Sequence, residues 1–161
     1  MNHKSIIEKF YTAFQNKNYK TMISCYGQDI EFNDPMFSTL SGFKAKAIWQ
    51  MLCEKGKDLT LTYSITSENE NSFTVKWLAV YTFEKSGRTI HNRVTSDITL
   101  ENGKIIRHHD SFSLYKWLGM AFGTTGWILG WLPFFRNRVK VEALKGLDLF
   151  IRRKKISEGS Y

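Results

Sequence analysis

The tetrapeptide Glu101-Asn102-Gly103-Lys104 constrains this chain more than any other stretch. Asn-Gly between two strand-like runs is a strong hairpin signal, because a type I′ turn needs φ > 0 at both central residues. A two-residue loop there sets the register of the strands on either side. Glu101 is then expected to face Lys104, Thr99 to face Ile106, Asp97 to face His108, and Thr95 to face Asp110. Alternation along a strand puts Asp97, His108 and Asp110 on one face, with Thr95, Thr99, Ile106 and Phe112. Two carboxylates and an imidazole thus converge through a hairpin alone, and they are the first candidates for a site.

The preceding hairpin decides what surrounds them. Phe73, Val75, Trp77, Ala79, Tyr81 and Phe83 share one face of a strand whose partner runs from Arg88 to Leu100. A two-residue Ser86-Gly87 loop would force Ser86 to φ > 0, which costs a residue with a Cβ. A three-residue Lys85-Ser86-Gly87 loop leaves only Gly87 left-handed and is the expected one. It sets Val75 opposite Asp97, Trp77 opposite Thr95, Ala79 opposite Arg93, and Tyr81 opposite His91. The polar cluster then lies among aromatic rings on a concave surface.

Upstream, Ile6, Ile7, Phe10, Ala13 and Phe14 recur at helical spacing, and a second short helix follows Asn16-Lys17-Asn18. A strand from Asp29 to Asp34 points Ile30, Phe32 and Asp34 inward, and Pro35 ends it. Met36 to Leu40 reads as a loop, and Ser41 as the cap of a helix that Gly56 terminates. Leu59, Leu61, Tyr63 and Ile65 then alternate with polar residues in another strand. Beyond Phe112 the character changes. Trp117, Trp127, Trp131, Phe134 and Phe135 are punctuated by glycines and Pro133, which breaks any single helix. A helical stripe resumes over Val139–Ile151 and ends in Arg152-Arg153-Lys154-Lys155. The expected division is residues 1–113 as an α+β unit and residues 114–161 as an aromatic, basic helical extension packed on it or on a partner subunit.

Composition narrows the function classes. With 161 residues, 42% of them hydrophobic, the chain can bury a sizeable core. Its net charge of +8 suggests nucleic acid until it is located. Residues 136–161 hold eight Lys/Arg against Glu142, Asp148 and Glu158, so five excess charges sit in the tail. A basic recognition face is absent from the body, and no nucleic-acid partner is expected. Cys25 and Cys53 have neither metal-ligand nor redox spacing, and read as buried thiols in a reducing compartment. Residues 1–15 lack the apolar core of a signal peptide, so the expected location is the cytoplasm.

Helices followed by a long antiparallel sheet make an α+β plan. The opening helix Ile6–Phe14, the Asp34-Pro35 step, Ser41-Gly42, and Thr95-Ser96-Asp97 through Asp110 together resemble the nuclear transport factor 2-like superfamily. That superfamily includes ketosteroid isomerase and the SnoaL-like polyketide cyclases. The resemblance covers roughly residues 5–112. It implies a cone-shaped, curved antiparallel sheet wrapped around the N-terminal helices, an apolar pocket for a small molecule, and a homodimer formed through the sheet. It also implies roles: Asp34 as a proton-shuttling base, Asp97 as a protonated donor to an oxyanion, and Asp110 as the last-strand acid of the cyclases. The first-helix tyrosine of ketosteroid isomerase aligns with Phe10, so Tyr11, Tyr26 or Tyr81 would have to supply that hydroxyl.

The expected catalytic set is therefore Asp34, Asp97, His108 and Asp110. Tyr11, Phe32, Val75, Trp77, Tyr81, Arg93, Thr95 and Phe112 are expected to contact the ligand. No metal or cofactor is expected, since Asp97, His108 and Asp110 carry no metal-site spacing. A carboxyl in an apolar pocket loses hydration and becomes an acid or base usable near neutral pH. An imidazole beside it works the other way by favouring the charged carboxylate. Three readings stay open: isomerase- or cyclase-type acid/base chemistry, a non-catalytic carrier, and a peripheral membrane protein docking through residues 114–155. In the last, tryptophans sit at headgroup level beside Arg136, Arg138 and Lys140.

Overall fold

A computed structural model describes residues 2–161. Two short helices come first. Asn2 caps α1 (His3–Gln15) by accepting from the Lys4 N–H, and Asn18 caps α2 (Tyr19–Ser24) by accepting from the Thr21 N–H. Strand β1 (Tyr26–Asp34) reverses through Pro35-Met36-Phe37 into β2 (Ser38–Ser41), and α3 (Gly42–Lys55) follows. Four long strands complete the sheet: β3 (Thr60–Glu68), β4 (Ser72–Phe83), β5 (Arg88–Glu101) and β6 (Lys104–Ser111). The chain ends in α4 (Leu114–Phe122), α5 (Thr124–Leu129) and α6 (Pro133–Lys154), with a single 3-10 turn at Glu158–Ser160.

The sheet order is β2-β1-β6-β5-β4-β3. All neighbours are antiparallel except β1 and β6, which run parallel. The curved, unclosed sheet wraps α1 and α3. From α1 it buries Ile6, Ile7, Phe10, Tyr11 and Phe14, and from α3 Ala47, Ile48 and Trp49. This is the expected α+β cone.

Several local expectations are corrected. The segment taken for a loop between Met36 and Leu40 contains β2, a strand too short for its alternation to stand out. Ser41 occupies the N-cap of α3 but makes no capping bond through its side chain. The final helix starts at Pro133 rather than Val139, because proline at the first helical position has no N–H that the helix would need.

Both hairpin registers differ from expectation by one residue, and this matters most for the site. Asn102 and Gly103 do form the tight turn, with φ of 50° and 73°, and Glu101 faces Lys104. A bulge at Ile106 then shifts the pairing, so Asp97 faces His109, Ile98 faces His108, and Ser96 faces Asp110. At the other hairpin Gly87 is left-handed as expected, but the loop is Glu84 to Gly87, closed by the Phe83–Arg88 pair. Val75 therefore faces Ser96, Trp77 faces Val94, and Ala79 faces Asn92. Burial explains the outcome: the apolar parity of β5 is Ile90, Val94, Ile98 and Leu100, and these registers turn that set inward.

Candidate functional site

The inner face of the sheet gathers a hydrogen-bonded relay from five separate elements. Trp49 of α3 donates its indole N–H to Tyr26 Oη at 2.7 Å, and that oxygen lies 2.8 Å from His108 Nδ1. His108 Nε2 lies 2.9 Å from Asp110 Oδ1, which also accepts from the Ser96 hydroxyl. Trp77 donates to Ser96 Oγ at 2.7 Å. The hydrogen-bonding capacity of these groups favours one placement of the protons. Tyr26 already accepts from Trp49, so its own O–H needs an acceptor, and His108 Nδ1 is the one available. The imidazole is then the neutral tautomer with its proton on Nε2, donating to an Asp110 carboxylate.

Aromatic rings enclose the relay. The His108 ring stacks on Trp49 with centroids 5.5 Å apart, and Phe10 and Phe32 meet its face edge-on at 5.4 and 5.5 Å. Both His108 and Asp110 are buried. Burial also pushes the Tyr26 phenol well above its usual range, so it stays protonated and works as a donor.

Asp110 opens onto a cavity of about 330 Å³ whose walls include Phe32, Trp77, Tyr81, Phe112 and Trp117. Asp34 reaches the same cavity from the end of β1. Its Oδ1 accepts from the backbone N–H groups of Met36 and Phe37 at 2.9 and 2.6 Å, which closes the turn that Pro35 begins. Burial is the main cause that pushes the Asp34 carboxyl up to about 7, with the Asp110 charge adding to it. The two backbone donors pull it down by less. The extension completes the enclosure: Trp117 of α4 donates to Tyr81 Oη at 2.9 Å, and Ala143 of α6 adds to the wall.

The candidate residues divide accordingly. Asp34, Asp110, Phe32, Trp77, Tyr81 and Phe112 line the cavity, while His108 lies behind Asp110. Asp97 does not reach it. The one-residue shift puts Asp97 on the outer face, exposed and accepting from Thr74 Oγ1 at 2.8 Å. Arg93 and Thr95 share its parity and lie on that outer face as well. Val75 is core below the cavity, and Tyr11 is fully buried against Tyr63 with no hydrogen-bond partner for its hydroxyl among the described residues. Sequence reasoning missed Ser96 and Trp49. The even-numbered apolar parity of β5 was the signal for Ser96; nothing local marks Trp49. Among the described residues, no group of three or more His, Cys, Asp or Glu could hold a metal ion. None of the helices described is long and apolar enough to cross a membrane.

Comparison with known proteins agrees with this architecture. A family model for a SnoaL-like domain matches residues 7–108. No curated protein matches the chain. Among solved structures, a provisionally assigned polyketide cyclase from Xanthomonas campestris pv. campestris is 16% identical, with a TM-score of 0.64 over 74% of this chain and 96% of its own. An LEH-like epoxide hydrolase from M. tuberculosis is also 16% identical, with a TM-score of 0.60 over 80% of this chain and 96% of its own. The epoxide hydrolase/cyclase-like enzyme SalBIII, which has a role in pyran-ring formation in salinomycin, is 12% identical, with a TM-score of 0.62 over 71% and 92%. At these identities the likeness is one of fold.

Proposed function

The chain belongs to the SnoaL-like domain family, and from that premise we propose that its cavity binds a small, largely apolar molecule and performs acid/base chemistry on it. One observation carries this reading: two carboxyl groups face a single apolar cavity, one hydrogen-bonded to His108 and Ser96 and the other pushed up to about 7 by burial. Asp110, wired to His108 and Ser96, is the base. It takes a proton from a water or substrate hydroxyl, or from a carbon next to a carbonyl. Asp34, whose pKa of about 7 keeps much of it protonated near neutral pH, gives a proton to the oxygen that develops charge. Such a pair suits epoxide opening, ring closure or isomerisation. Epoxide hydrolase and cyclase chemistry in proteins of the same fold supports that choice.

Mass spectrometry of whatever co-purifies with the protein, followed by turnover of a small apolar epoxide, tests the reading. Asp110→Asn is expected to lower turnover by at least about 100-fold while ligand affinity survives, because general acid/base catalysis supplies factors of that order. A protein that retains ligand but converts none of it, in parent and variant alike, is a carrier.

A second reading rests on a separate observation. Trp127, Ile128, Trp131 and Phe134 are 43, 60, 64 and 66% exposed at the turn from α5 to α6, and Arg136, Arg138 and Lys140 follow directly. Apolar rings beside unopposed cations fit the headgroup layer of an anionic membrane. Vesicles of phosphatidylcholine and phosphatidylserine are expected to sediment the protein at low salt. Trp131→Ala/Phe134→Ala should bind about tenfold more weakly. No sedimentation of the parent removes the membrane reading and leaves the tip as an ordinary surface.

A further inference from the structure

The second concavity of the molecule lies on another face of α3. It is a groove of about 1270 Å³ bounded by α2, the start of β1, the first half of α3, Lys104 and the C-terminal segment from Lys154 to Tyr161. The hydroxyl of Tyr161 donates to Gln50 Oε1 at 2.5 Å and pins that segment against α3. Five lysines line the groove (Lys20, Lys44, Lys46, Lys104 and Lys154) against Asp29 and Glu158, an excess of three positive charges.

The lysines are not equivalent. Lys44 pairs with Asp148 at 3.6 Å, Lys154 pairs with Glu54 at 2.7 Å, and Lys104 donates to the Ser24 carbonyl at 2.6 Å. Lys46 is only 8% exposed, yet it makes no hydrogen bond or ion pair with any described residue. Burial acts most strongly against its charge, Asp29 favours it, and Lys104 opposes it. The Lys46 stem is packed away, while its ammonium, which has no partner among the described residues, faces the groove and is free to take an anionic one.

The backbone supplies a second, independent feature. Gly42, Lys46 and Gln50 stand four residues apart on one face of α3, so the groove runs from the helix N-terminus along that face. Ser41 leaves the first-turn N–H groups without a side-chain cap, and no acidic residue occupies the first turn. Gly42 has φ of +55°, and a Cβ there would meet only the Gln28 carbonyl, at 3.9 Å, so the approach to these N–H groups is open. A bare helix N-terminus with a cation at its side is the arrangement that receives oxyanions.

We propose that this groove binds a phosphate-bearing ligand, with the phosphate seated between the N-terminus of α3 and the Lys46 ammonium, and Lys20 and Lys104 alongside. A phosphate dianion meets an excess of positive charge there, and its oxygens accept from backbone N–H and ammonium together. The groove is separate from the aromatic cavity, so this site stands whether or not Asp34 and Asp110 are catalytic.

Inorganic pyrophosphate is the probe. Titrated into the intact protein at low salt, it should move the backbone amide resonances of Gly42 to Lys46 and bind with a measurable dissociation constant. Lys46→Gln should weaken binding at least tenfold. Lys145→Gln makes the same charge change outside the groove and should alter binding less than twofold. Lys20→Gln, on the groove rim, should give an intermediate loss. No binding to the parent, or equal losses in Lys46→Gln and Lys145→Gln, overturns the proposal. A further arm identifies the source of the phosphate. Phosphatidylcholine vesicles carrying a monophosphorylated phosphoinositide, compared with phosphatidylserine vesicles of equal charge, should retain the parent but not Lys46→Gln if the phosphate belongs to a lipid headgroup. Pyrophosphate binding without that retention assigns the site to a free phosphorylated molecule.

Discussion

At pH 8, Asp34→Asn is expected to be more stable than the parent by up to about 4 kcal/mol, which is the linkage value of a carboxyl moved from 3.8 to about 7. The sign follows from proton counting. Between pH 4 and 7 the folded protein holds a proton on Asp34 that the unfolded chain has already released. Stability contributed by this group is therefore complete below about pH 4, falls as the pH rises towards 7, and stays low above it. The asparagine variant lacks that slope. Its amide oxygen can still accept from the Met36 and Phe37 N–H groups, so the turn survives. Urea denaturation of both proteins at pH 4.5 and pH 8 checks this: the two should converge at low pH and separate at high pH. Equal midpoints at pH 8 would mean that the carboxylate is hydrated in the folded state, and Asp34 would then lose its claim to be the acid of the site.

Breaking the relay should cost nearly as much, with a different signature. His108→Leu strands the Tyr26 hydroxyl and removes a donor from the buried Asp110 carboxylate, at a cost of about 2–3 kcal/mol. Asp110→Leu leaves the His108 and Ser96 donors unpaired, at about 1–3 kcal/mol. The double variant should lose clearly less than the sum, because neither partner is left behind; a coupling of at least about 1 kcal/mol is expected. Strict additivity would show that the two side chains do not stabilise each other, and the proton assignment across His108 would fall with it.

Much of the fold was legible because local chemistry encodes it. Apolar period marks α1 and α3 and the strands β3, β4 and β5, and it correctly places Phe73, Val75, Trp77 and Tyr81 on one face. Gly87 and Gly103 take the left-handed conformations that their turns require. The cavity residues Asp34 and Asp110 were also legible, because Pro35 fixes where β1 stops and Asp110 is followed by the apolar Phe112. Asp97 was misplaced because turn chemistry alone leaves a one-residue ambiguity. A three-residue and a four-residue loop both satisfy Gly87, and an Asn-Gly turn does not announce a bulge three residues later. The apolar parity of β5 would have rejected the expected registers, since they turn Ile90, Val94 and Ile98 to the outside.

The amino-acid order by itself determined most of the elements, the inward faces of α1, β1, β3 and β4, and the α+β plan. Those are set by period, turn glycines and capping, all of which act within a few residues. Only the tertiary structure decided that Ser96 rather than Asp97 meets Asp110, that β1 lies parallel to β6, and that Trp49 and Tyr26 extend the relay behind His108. A slip of one residue costs almost nothing locally, yet it exchanges the two faces of a strand. The choice therefore belongs to the burial of side chains contributed by distant parts of the chain.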